Sequence, residues 1–314
     1  YGSHTGTSPL SQVTQNYGGF FGIATVIAAG NETGLAHHYA GRFSADTSFE
    51  DVELRVGEEE GKRGFILELW SSAADLYTVG FVSPGGERIS RIPILSNNET
   101  RIPFLLESTV SYQLIEAGSG SQLVSIRFDR PSPGIWTIRV YNTQFLTGEY
   151  HMWLPVQGFI SDETVFLKPD PSNTITVPGN SRLPITTGAY NHRNNSIYIH
   201  SSRGYTSRDY VKPDLAAPGV EILGPSVRIS AAFRPGLSSS VAAGTAPAFS
   251  RRTGTSAAAA ITAGAVANLL SWGIVMGNYP TMSEASIKSY LIRGAARNPS
   301  LTYPNKEFGN GTLD

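Results

Sequence analysis

The sequence predicts an α/β fold, in which a mostly parallel sheet flanked by helices is interrupted by an inserted all-β domain. Three observations predict it. Residues 22–29 (GIATVIAA) form an unbroken apolar run rich in β-branched residues, which is typical of a strand buried on both faces. Residues 256–270 are rich in Ala and Gly, as expected of a closely packed helix. Residues 49–154 contain short apolar runs separated by turn signals, without helical periodicity.

Capping signals mark where two further helices begin. Ser8 followed by Pro9 is typical of an N-cap with Pro at the first helical position, and predicts a short helix over residues 10–16. Thr281 with Glu284 three residues later forms a capping-box pattern and predicts another helix. The apolar residues that follow recur every four positions, which gives this helix one face for the core.

The middle of the chain predicts a domain of short strands. Pro-, Gly- and Asn-rich turns separate runs at residues 65–69, 76–82, 101–106, 123–128, 136–140 and 150–154. This spacing is typical of a β-sandwich or jelly roll of about 100 residues. We therefore expect three parts: a first α/β part at residues 1–46, the inserted domain at 47–160, and a second α/β part at 161–314.

Composition excludes several classes of function. The 314 residues include 24 Lys and Arg against 25 Asp and Glu, and this net charge of −1 gives no electrostatic reason to expect nucleic acid or an anionic membrane as partner. The absence of Cys excludes disulfides, Cys-ligated zinc and thiol catalysis. The longest small and apolar run, residues 256–270, is too short to span a bilayer. No spacing of Asp and Asn predicts a calcium site, so no metal is expected.

Two residues suggest chemistry. Ser256 follows Gly254 and Thr255 at the start of the predicted small-residue helix, whose positive end favours developing negative charge. Asn31 follows the first predicted strand, where a fixed carboxamide could stabilise an oxyanion. Each has a plainer interpretation, since the serine could simply cap a buried helix and the asparagine could simply form a turn. The elbow motif G-x-S-x-G does not fit, because Ala258 stands at its last position.

Four ordered blocks together resemble the subtilisin-like serine peptidases, the subtilase family. They are residues 28–32 (AAGNE), 185–190 (ITTGAY), 212–220 (KPDLAAPGV) and 254–256 (GTS) with its continuation to 265. The closing residues 308–311 (FGNG) are similar to the final Gly-rich turn of the family. The resemblance covers residues 1–44 and about 165–314, and it implies a partial subtilisin-like sheet.

The resemblance implies roles for particular residues. Ser256 would be the nucleophile, and Asn31 the oxyanion donor together with the Ser256 backbone N–H. The substrate-binding residues would be Ala28, Ala29 and Gly30, which would line one wall of the pocket for the residue before the scissile bond, and Thr255. The implied reaction is hydrolysis of a peptide or protein through an acyl-enzyme, without a cofactor.

The sequence departs from the family pattern in two places. Ala260 and Ile261 stand where the family usually has Pro-His, inside the helix and away from the nucleophile. A long insertion separates Asn31 from Pro218. This insertion, together with residues 3–10 (SHTGTSPL), resembles the Csp-type subtilases of spore-forming clostridia. The subgroup implies a bacterial protein that is extracellular or associated with spores.

The triad acid and base are not found in the sequence. The family order is Asp, His, Asn, Ser, so both would precede Tyr1, and the non-Met start also predicts an upstream segment. None of the six His residues suits the role of base: His4, His37, His38, His192 and His200 fall in expected loops, and His151 in the inserted domain. Asp214 in its Lys-Pro-Asp turn is better interpreted as structural than as the triad acid.

Several hypotheses therefore stand at this point. The chain could be the C-terminal part of an active subtilase whose upstream segment supplies Asp and His, or a pseudoprotease that works by binding. The inserted domain could itself bind a carbohydrate or protein through Trp70, Trp136 and Trp153, although aromatic residues in a sandwich are more often core. Alternatively, this domain packs on the peptidase core and rigidifies it or shapes the cleft.

Overall fold

A computed structural model describes residues 2–44, 46–71, 75–94, 99–102, 108–144, 146–225 and 249–314. The helices are α1 (Pro9–Tyr17), α2 (Glu60–Arg63), α3 (Thr255–Leu270) and α4 (Glu284–Gly294). The strands are β1 (Val26–Ala28), β2 (His38–Arg42), β3 (Phe49–Val56), β4 (Phe65–Ser71), β5 (Leu76–Val82), β6 (Arg88–Ile89), β7 (Glu99–Ile102), β8 (Ser108–Gln113), β9 (Leu123–Phe128), β10 (Gly134–Gln144), β11 (Glu149–Trp153), β12 (Val165–Phe166), β13 (Ile185–Asn191), β14 (Ser196–Ile197), β15 (Leu215–Pro218), β16 (Ile222–Pro225) and β17 (Phe249–Arg252). Strands β16 and β17 pair as a separate antiparallel hairpin.

The sheet that carries the site is built around β13. This strand pairs in parallel with β1 on one side and with β15 on the other, and β14 adds an antiparallel extension. Helices α3 and α4 cover the sheet, and their contact with it buries Ile185, Leu215, Val266, Ile287 and Leu291. The predicted α/β part with parallel pairing is therefore present.

The first apolar run behaves differently from the prediction. Only Val26–Ala28 of residues 22–29 forms a strand, and its side chains are half-buried rather than buried on both faces. The reason is position: within the described residues β1 pairs only with β13, so it lies at the edge of the sheet. The strand buried on both faces is β13, in which Ile185 to Tyr190 are all buried.

The middle of the chain forms two antiparallel sheets. One has the order β12-β3-β10-β5-β6 and the other β2-β11-β4-β9-β8-β7. Alternate residues of both sheets share one core, which includes Leu54, Leu69, Ile126, Ile138 and Val140. Because β2 and β12 belong to these sheets, the strands extend from residue 38 to residue 166, beyond both expected limits of 47 and 160. The pairings β2–β11, β3–β10 and β4–β9 are nested one inside the next.

Helix α4 starts two residues later than its capping box predicts. Its N-cap is Ser283, whose hydroxyl accepts a hydrogen bond from the backbone N–H of Ser286. Glu284 does not close a capping box with Thr281; its carboxylate instead accepts a hydrogen bond from the backbone N–H of Thr25, 2.6 Å away. The tertiary contact with the segment before β1 therefore replaces the local one.

Helix α3 is continued by a single π-helical turn, residues Ser271–Val275. Among the described residues, Thr255–Val275 is the one helical stretch whose length and composition would allow it to cross a membrane; it is longer than the run at residues 256–270 from which the length argument was made. One face of α3 packs on the sheet through Ala258, Thr262 and Val266.

Candidate active site

The backbone places Ser256 at the exposed N-terminus of α3. The helix starts at Thr255, and the N–H of Gly254 donates a 2.8 Å hydrogen bond to the carbonyl of Gly219, just after β15. Gly254 has φ 143°, and a Cβ built on it would lie 3.4 Å from the Asn31 amide nitrogen. A glycine is therefore suited to this position both by conformation and by the close approach of Asn31. Ser256 itself is exposed, so its hydroxyl is accessible to a substrate.

The side chain of Asn31 is fixed by the same helix N-terminus. Its Oδ1 accepts hydrogen bonds from the backbone N–H of Thr255, at 3.0 Å, and from the Thr255 hydroxyl, at 3.2 Å. Because Oδ1 faces these donors, the amide nitrogen Nδ2 is left as the group that can donate to a bound carbonyl. The structure thus brings Asn31 and Ser256, which are 225 positions apart, to one place.

Thr255 lies behind Asn31 rather than on the surface. It is fully buried, and its hydroxyl also accepts a hydrogen bond from the Gly30 backbone N–H at 3.2 Å. The substrate-binding role expected for Thr255 stays a prediction; in this structure its contacts position the Asn31 amide. Ala29 is also fully buried, whereas Ala28 and Gly30 are half-buried.

A cavity of about 450 Å³ opens beside Asn31. Gly30, Asn31 and Thr176 line it from the α/β part, and Trp153, Val156 and Gln157 line it from the segment that includes the end of β11. Of the three small residues expected to form a pocket wall, only Gly30 lines this cavity. The wall contributed by β11 and the segment after it was not predicted from the sequence.

One carboxylate lies in the cavity wall. The Glu32 side chain is 11% exposed, and its Oε2 lies 2.8 Å from Nδ1 of His37. Its Oε1 accepts a hydrogen bond from the Gln157 backbone N–H at 3.1 Å. Nε2 of His37 is buried and has no hydrogen-bond partner in the described part of the chain. The Glu32 carboxylate is therefore held against the cavity wall by the His37 ring and the Gln157 backbone.

Three histidines and Trp153 form a stack below the cavity. The His4 and Trp153 rings are nearly parallel with centroids 4.0 Å apart, and the His38 ring lies 5.0 Å from that of Trp153. Nε2 of His38 lies 3.0 Å from Nδ1 of His151, and Nδ1 of His38 lies 3.1 Å from the Asp170 carbonyl. Burial lowers the pKa of His38 to about 4 and that of His151 to about 3, and it also lowers the pKa of His4. These rings are therefore neutral at pH 7.

This neutral stack predicts a loss of stability in acid. Because the folded-state pKa values of about 4 and about 3 lie below the unfolded value of 6.5, the unfolded chain binds more protons between pH 6.5 and 3. The stabilisation is fully present above pH 6.5 and is lost as the pH falls through this window, on the order of 3 kcal/mol for His38 alone. Denaturant unfolding at pH 7 and pH 4 measures it.

The matched variants for this prediction are His38→Phe and His192→Phe. The first keeps a ring in the stack without a titrating group, so its unfolding free energy should fall less between pH 7 and pH 4. His192 is exposed, and its replacement should leave the pH dependence as it is in the parent protein. An equal pH dependence in His38→Phe and the parent would show that the stack is not responsible.

Asp214 has the structural role expected of it. Its carboxylate is buried and accepts hydrogen bonds from Lys212 Nζ at 2.7 Å and from the Thr186 backbone N–H at 2.7 Å. Lys288 Nζ lies 3.0 Å from the other oxygen. Burial lowers the pKa of Lys212 to about 8, although the neighbouring Asp214 favours its charged form.

The remaining histidines do not supply a base to the site. His192 is exposed, and Nδ1 of His200 lies 3.1 Å from the Thr33 carbonyl. In the part of the chain that the structure describes, no hydrogen bond joins a histidine to Ser256. No group of three or more His, Asp or Glu side chains suited to a metal ion occurs within the same residues.

Comparison with known proteins defines the class. Residues 163–311 match the family model of the subtilase peptidases. The solved structure of the Clostridium perfringens CspB protease superposes with a TM-score of 0.83 and 30% sequence identity, over 99% of this chain and 62% of that chain. The chain is thus similar to the subtilases, the subtilisin-like serine peptidases, in sequence over residues 163–311, and its whole fold is similar to that of a Csp-type protease. It spans 62% of the length of the CspB structure that it matches.

Other comparisons add little. The structure of the prenylagaramide maturation protease PagA aligns with 46% of this chain and 44% of that one at 26% identity, with a TM-score of only 0.33. A search of the curated proteins finds no match.

Proposed function

We propose that this chain carries the nucleophile and the oxyanion donor of a serine endopeptidase of the subtilase family. The observation that carries the proposal is the fixed side-chain amide of Asn31 beside the exposed Ser256. The Asn31 Oδ1 accepts a hydrogen bond from the Thr255 backbone N–H at 3.0 Å, so the free N–H groups of Nδ2 are preorganised to donate to an oxyanion. The match of residues 163–311 to the subtilase family model and the similarity to the CspB protease structure support the same conclusion.

The mechanism follows from these positions. The Ser256 hydroxyl attacks the scissile carbonyl and loses its proton to a general base, while the Asn31 amide and the Ser256 backbone N–H stabilise the oxyanion. Collapse of the tetrahedral intermediate leaves the acyl group on Ser256, and water then releases it. No cofactor or metal is required by this chemistry. The substrate is a peptide or protein.

The base and its acid come, in this proposal, from a segment upstream of Tyr1. Two surfaces support it. Within the described residues β1 has a free edge, which could pair with another strand. The face of α3 away from the sheet exposes Ala260, Ala263 and Gly264, small residues against which a helix could pack closely. An upstream segment that adds a strand and a helix would cover both surfaces.

The inserted domain has a supporting role in the same proposal. We assign it as a jelly roll, expected at residues 47–160 between α/β parts at 1–46 and 161–314, with β2 and β12 extending its sheets past those limits. The nested pairings of β2–β11, β3–β10 and β4–β9 support this assignment. Its Trp153 lines the cavity beside Asn31, which favours a role in shaping the cleft. Trp70, Trp136 and Trp153 are each at most 5% exposed, so they do not form an open ligand platform.

The proposal also includes the expected partners and localisation of the protein. Neither nucleic acid nor a membrane is expected as a partner, and the Csp-type assignment favours a bacterial protein that is extracellular or associated with spores. The pseudoprotease alternative has no specific observation in its favour, since both Ser256 and Asn31 are in place. A pseudoprotease would instead be recognised in the kinetic and labelling tests, by the absence of both peptide hydrolysis and labelling of Ser256.

Replacing Asn31 with Leu tests the proposed oxyanion role. We expect kcat to fall by about 10²–10³-fold, because one preorganised donor typically contributes about 2.7–4 kcal/mol to lowering the barrier. The measurement is steady-state hydrolysis of a peptide by the protein expressed with its upstream segment. Thr255→Val should give a smaller loss of kcat, because it removes the hydroxyl hydrogen bond to Oδ1 but keeps the amide and the bond from the backbone N–H.

Asn194→Leu is the control for this test, since Asn194 lies in an exposed turn. It should leave kcat unchanged. A loss in Asn31→Leu that appears only in KM would contradict an oxyanion role, because the oxyanion exists in the transition state and not in the bound substrate.

A further inference from the structure

A second cavity shares the ring of Trp153 with the cavity beside Asn31. It has a volume of about 170 Å³ and lies where the N-terminal segment, the inserted domain and residues 207–208 meet. The His151 ring borders it, whereas the His4 and His38 rings border the first cavity. Since one water takes about 30 Å³ of the liquid, the second cavity has room for a small molecule of about five or six water volumes.

Hydroxyl-bearing side chains dominate the lining of the second cavity. Five of them are at most 7% exposed and the last is half-buried: Ser3, Thr5, Ser71, Ser119, Ser121 and Ser207. The Ser71 hydroxyl accepts a hydrogen bond from the Gln122 backbone N–H at 3.1 Å, and the Ser207 hydroxyl accepts one from Asn173 Nδ2 at 3.3 Å. Within the described residues neither hydroxyl donates to a protein group, so both can donate to a ligand.

His151 presents a hydrogen-bond acceptor to the same cavity. The Asp170 carbonyl can only accept, so Nδ1 of His38, 3.1 Å away, carries a proton. In the neutral His38 ring Nε2 then accepts, and Nδ1 of His151, 3.0 Å away, donates to it. The Nε2 of His151 is therefore left with its lone pair, and no described residue donates to it. A ligand that carries an O–H group can donate to this nitrogen.

The charges in the wall of the second cavity are few and already paired. Of the described lining residues, Arg208 and Glu149 are charged, and both are exposed. Nη2 of Arg208 donates to the Ser119 carbonyl at 2.9 Å, and the Glu149 carboxylate lies 3.5 Å from the Arg42 guanidinium. An ionic ligand would lose its hydration without gaining an unpaired counter-charge, which favours a neutral ligand.

The two tryptophans of the lining offer apolar surface. Nε1 of Trp70 donates to the Glu68 carboxylate at 2.9 Å, and Nε1 of Trp153 donates to the Asn173 carbonyl at 3.2 Å. Because both N–H groups are already bonded, the carbon atoms of the indole rings are what a ligand can contact. Such surface suits the C–H groups of a molecule whose polar atoms are hydroxyls.

We infer that the second cavity is a binding site for a small neutral polyhydroxy compound. One hydroxyl of the ligand donates to Nε2 of His151, others accept from Ser71 and Ser207, and its C–H groups contact Trp70 and Trp153. Open-chain polyols and monosaccharides share this chemistry. The inference does not rest on the proposed function, because neither Ser256 nor Asn31 lines this cavity.

The test is a saturation-transfer NMR titration of the protein expressed with its upstream segment. The probes are erythritol, glucose, galactose and mannose, so that an open-chain polyol is distinguished from a sugar ring. Erythronate and gluconate add a carboxylate to the same kind of chain, and butane-1,4-diol lacks the inner hydroxyls of erythritol. We expect at least one of the first four probes to bind with a Kd on the order of 1 mM. The charged and the hydroxyl-poor probes should bind at least about tenfold more weakly.

Two variants locate the bound probe. His151→Phe keeps a ring in the stack but removes the acceptor, and it should raise Kd by at least about tenfold, whereas the exposed His192→Phe should leave Kd unchanged. Ser207→Phe fills the cavity from a half-buried position and should raise Kd by a similar factor. Its control is Ser300→Phe, which is exposed and outside the cavity. The Ser207 variant keeps the test valid if His151→Phe does not fold.

Three results would overturn the inference. The first is that none of the four polyhydroxy probes binds. The second is binding that Ser207→Phe and a folded His151→Phe leave unchanged, since the probe would then lie elsewhere. The third is equal affinity for erythritol and erythronate, or for a sugar and gluconate, because the cavity would then not select a neutral ligand. Labelling of Ser256 by a fluorophosphonate tests the proposed function separately.

Discussion

Replacing Ser256 with Ala should lower kcat for peptide hydrolysis by at least about 10⁴-fold, with no loss of folded protein. The physical reason is that no other group in the site can form the acyl-enzyme. The Asn31 amide would remain preorganised, but oxyanion binding alone leaves only about 10³–10⁴ of rate enhancement over water. The measurement is single-turnover hydrolysis by the protein expressed with its upstream segment, together with circular dichroism to check the fold.

Ser289→Ala is the matched control for this variant. Ser289 is exposed on α4 and its hydroxyl donates only to the carbonyl one turn earlier, so activity should stay at the parental level. Undiminished hydrolysis in Ser256→Ala would contradict the assignment of the nucleophile, because a serine on another element would then carry the reaction.

The second large effect concerns stability. We expect Asp214→Asn to lower the free energy of unfolding by about 3–5 kcal/mol, because it removes the negative charge that faces two cations and leaves Lys212, which is only 1% exposed, without a counter-ion. Asp214 directly precedes β15, and its carboxylate also accepts a hydrogen bond from the Thr186 backbone N–H on β13. Loss of this network should therefore loosen the sheet that positions Asn31. Urea denaturation at pH 7 measures the change.

An exposed ion pair provides the contrast. Asp51 on β3 forms a bidentate pair with Arg139 on β10, but its side chain is 38% exposed. Asp51→Asn should cost only about 0–1 kcal/mol, because solvent already screens the pair. Equal losses of unfolding free energy in Asp51→Asn and Asp214→Asn would show that burial does not determine how much the Asp214 network stabilises the fold.

The sequence predicts elements best where composition changes sharply. The small-residue run identified α3 to within one residue of its start, and β9 coincides with its predicted run. Strand β3 was not predicted, although Val52, Leu54 and Val56 alternate with charged residues and point into the sandwich core. Strand β2 (HYAGR) has no such alternation, because its side chains contact β11 and the histidine stack rather than a uniform apolar core.

The candidate site was predictable only in part, and the reason is the separation of its residues along the chain. Asn31 and Ser256 each end or begin an element with a clear local signal. The hydrogen bonds from Thr255 to Asn31, which bring Asn31 beside Ser256, depend on the packing of α3 against β1 and could not be predicted from either segment. The pairing of Glu32 with Gln157 joins a residue of the first α/β part to a residue near the end of the inserted domain, so it required the fold.

The most direct test of the central claim is intact-mass and peptide-mapping mass spectrometry after treatment with a fluorophosphonate. The protein would be expressed with its upstream segment, and this chain alone would be treated in parallel. We predict one stoichiometric adduct that maps to Ser256 in the longer protein and little or none in the chain alone, because the base is then missing. A longer protein that carries no adduct on Ser256 would contradict the account.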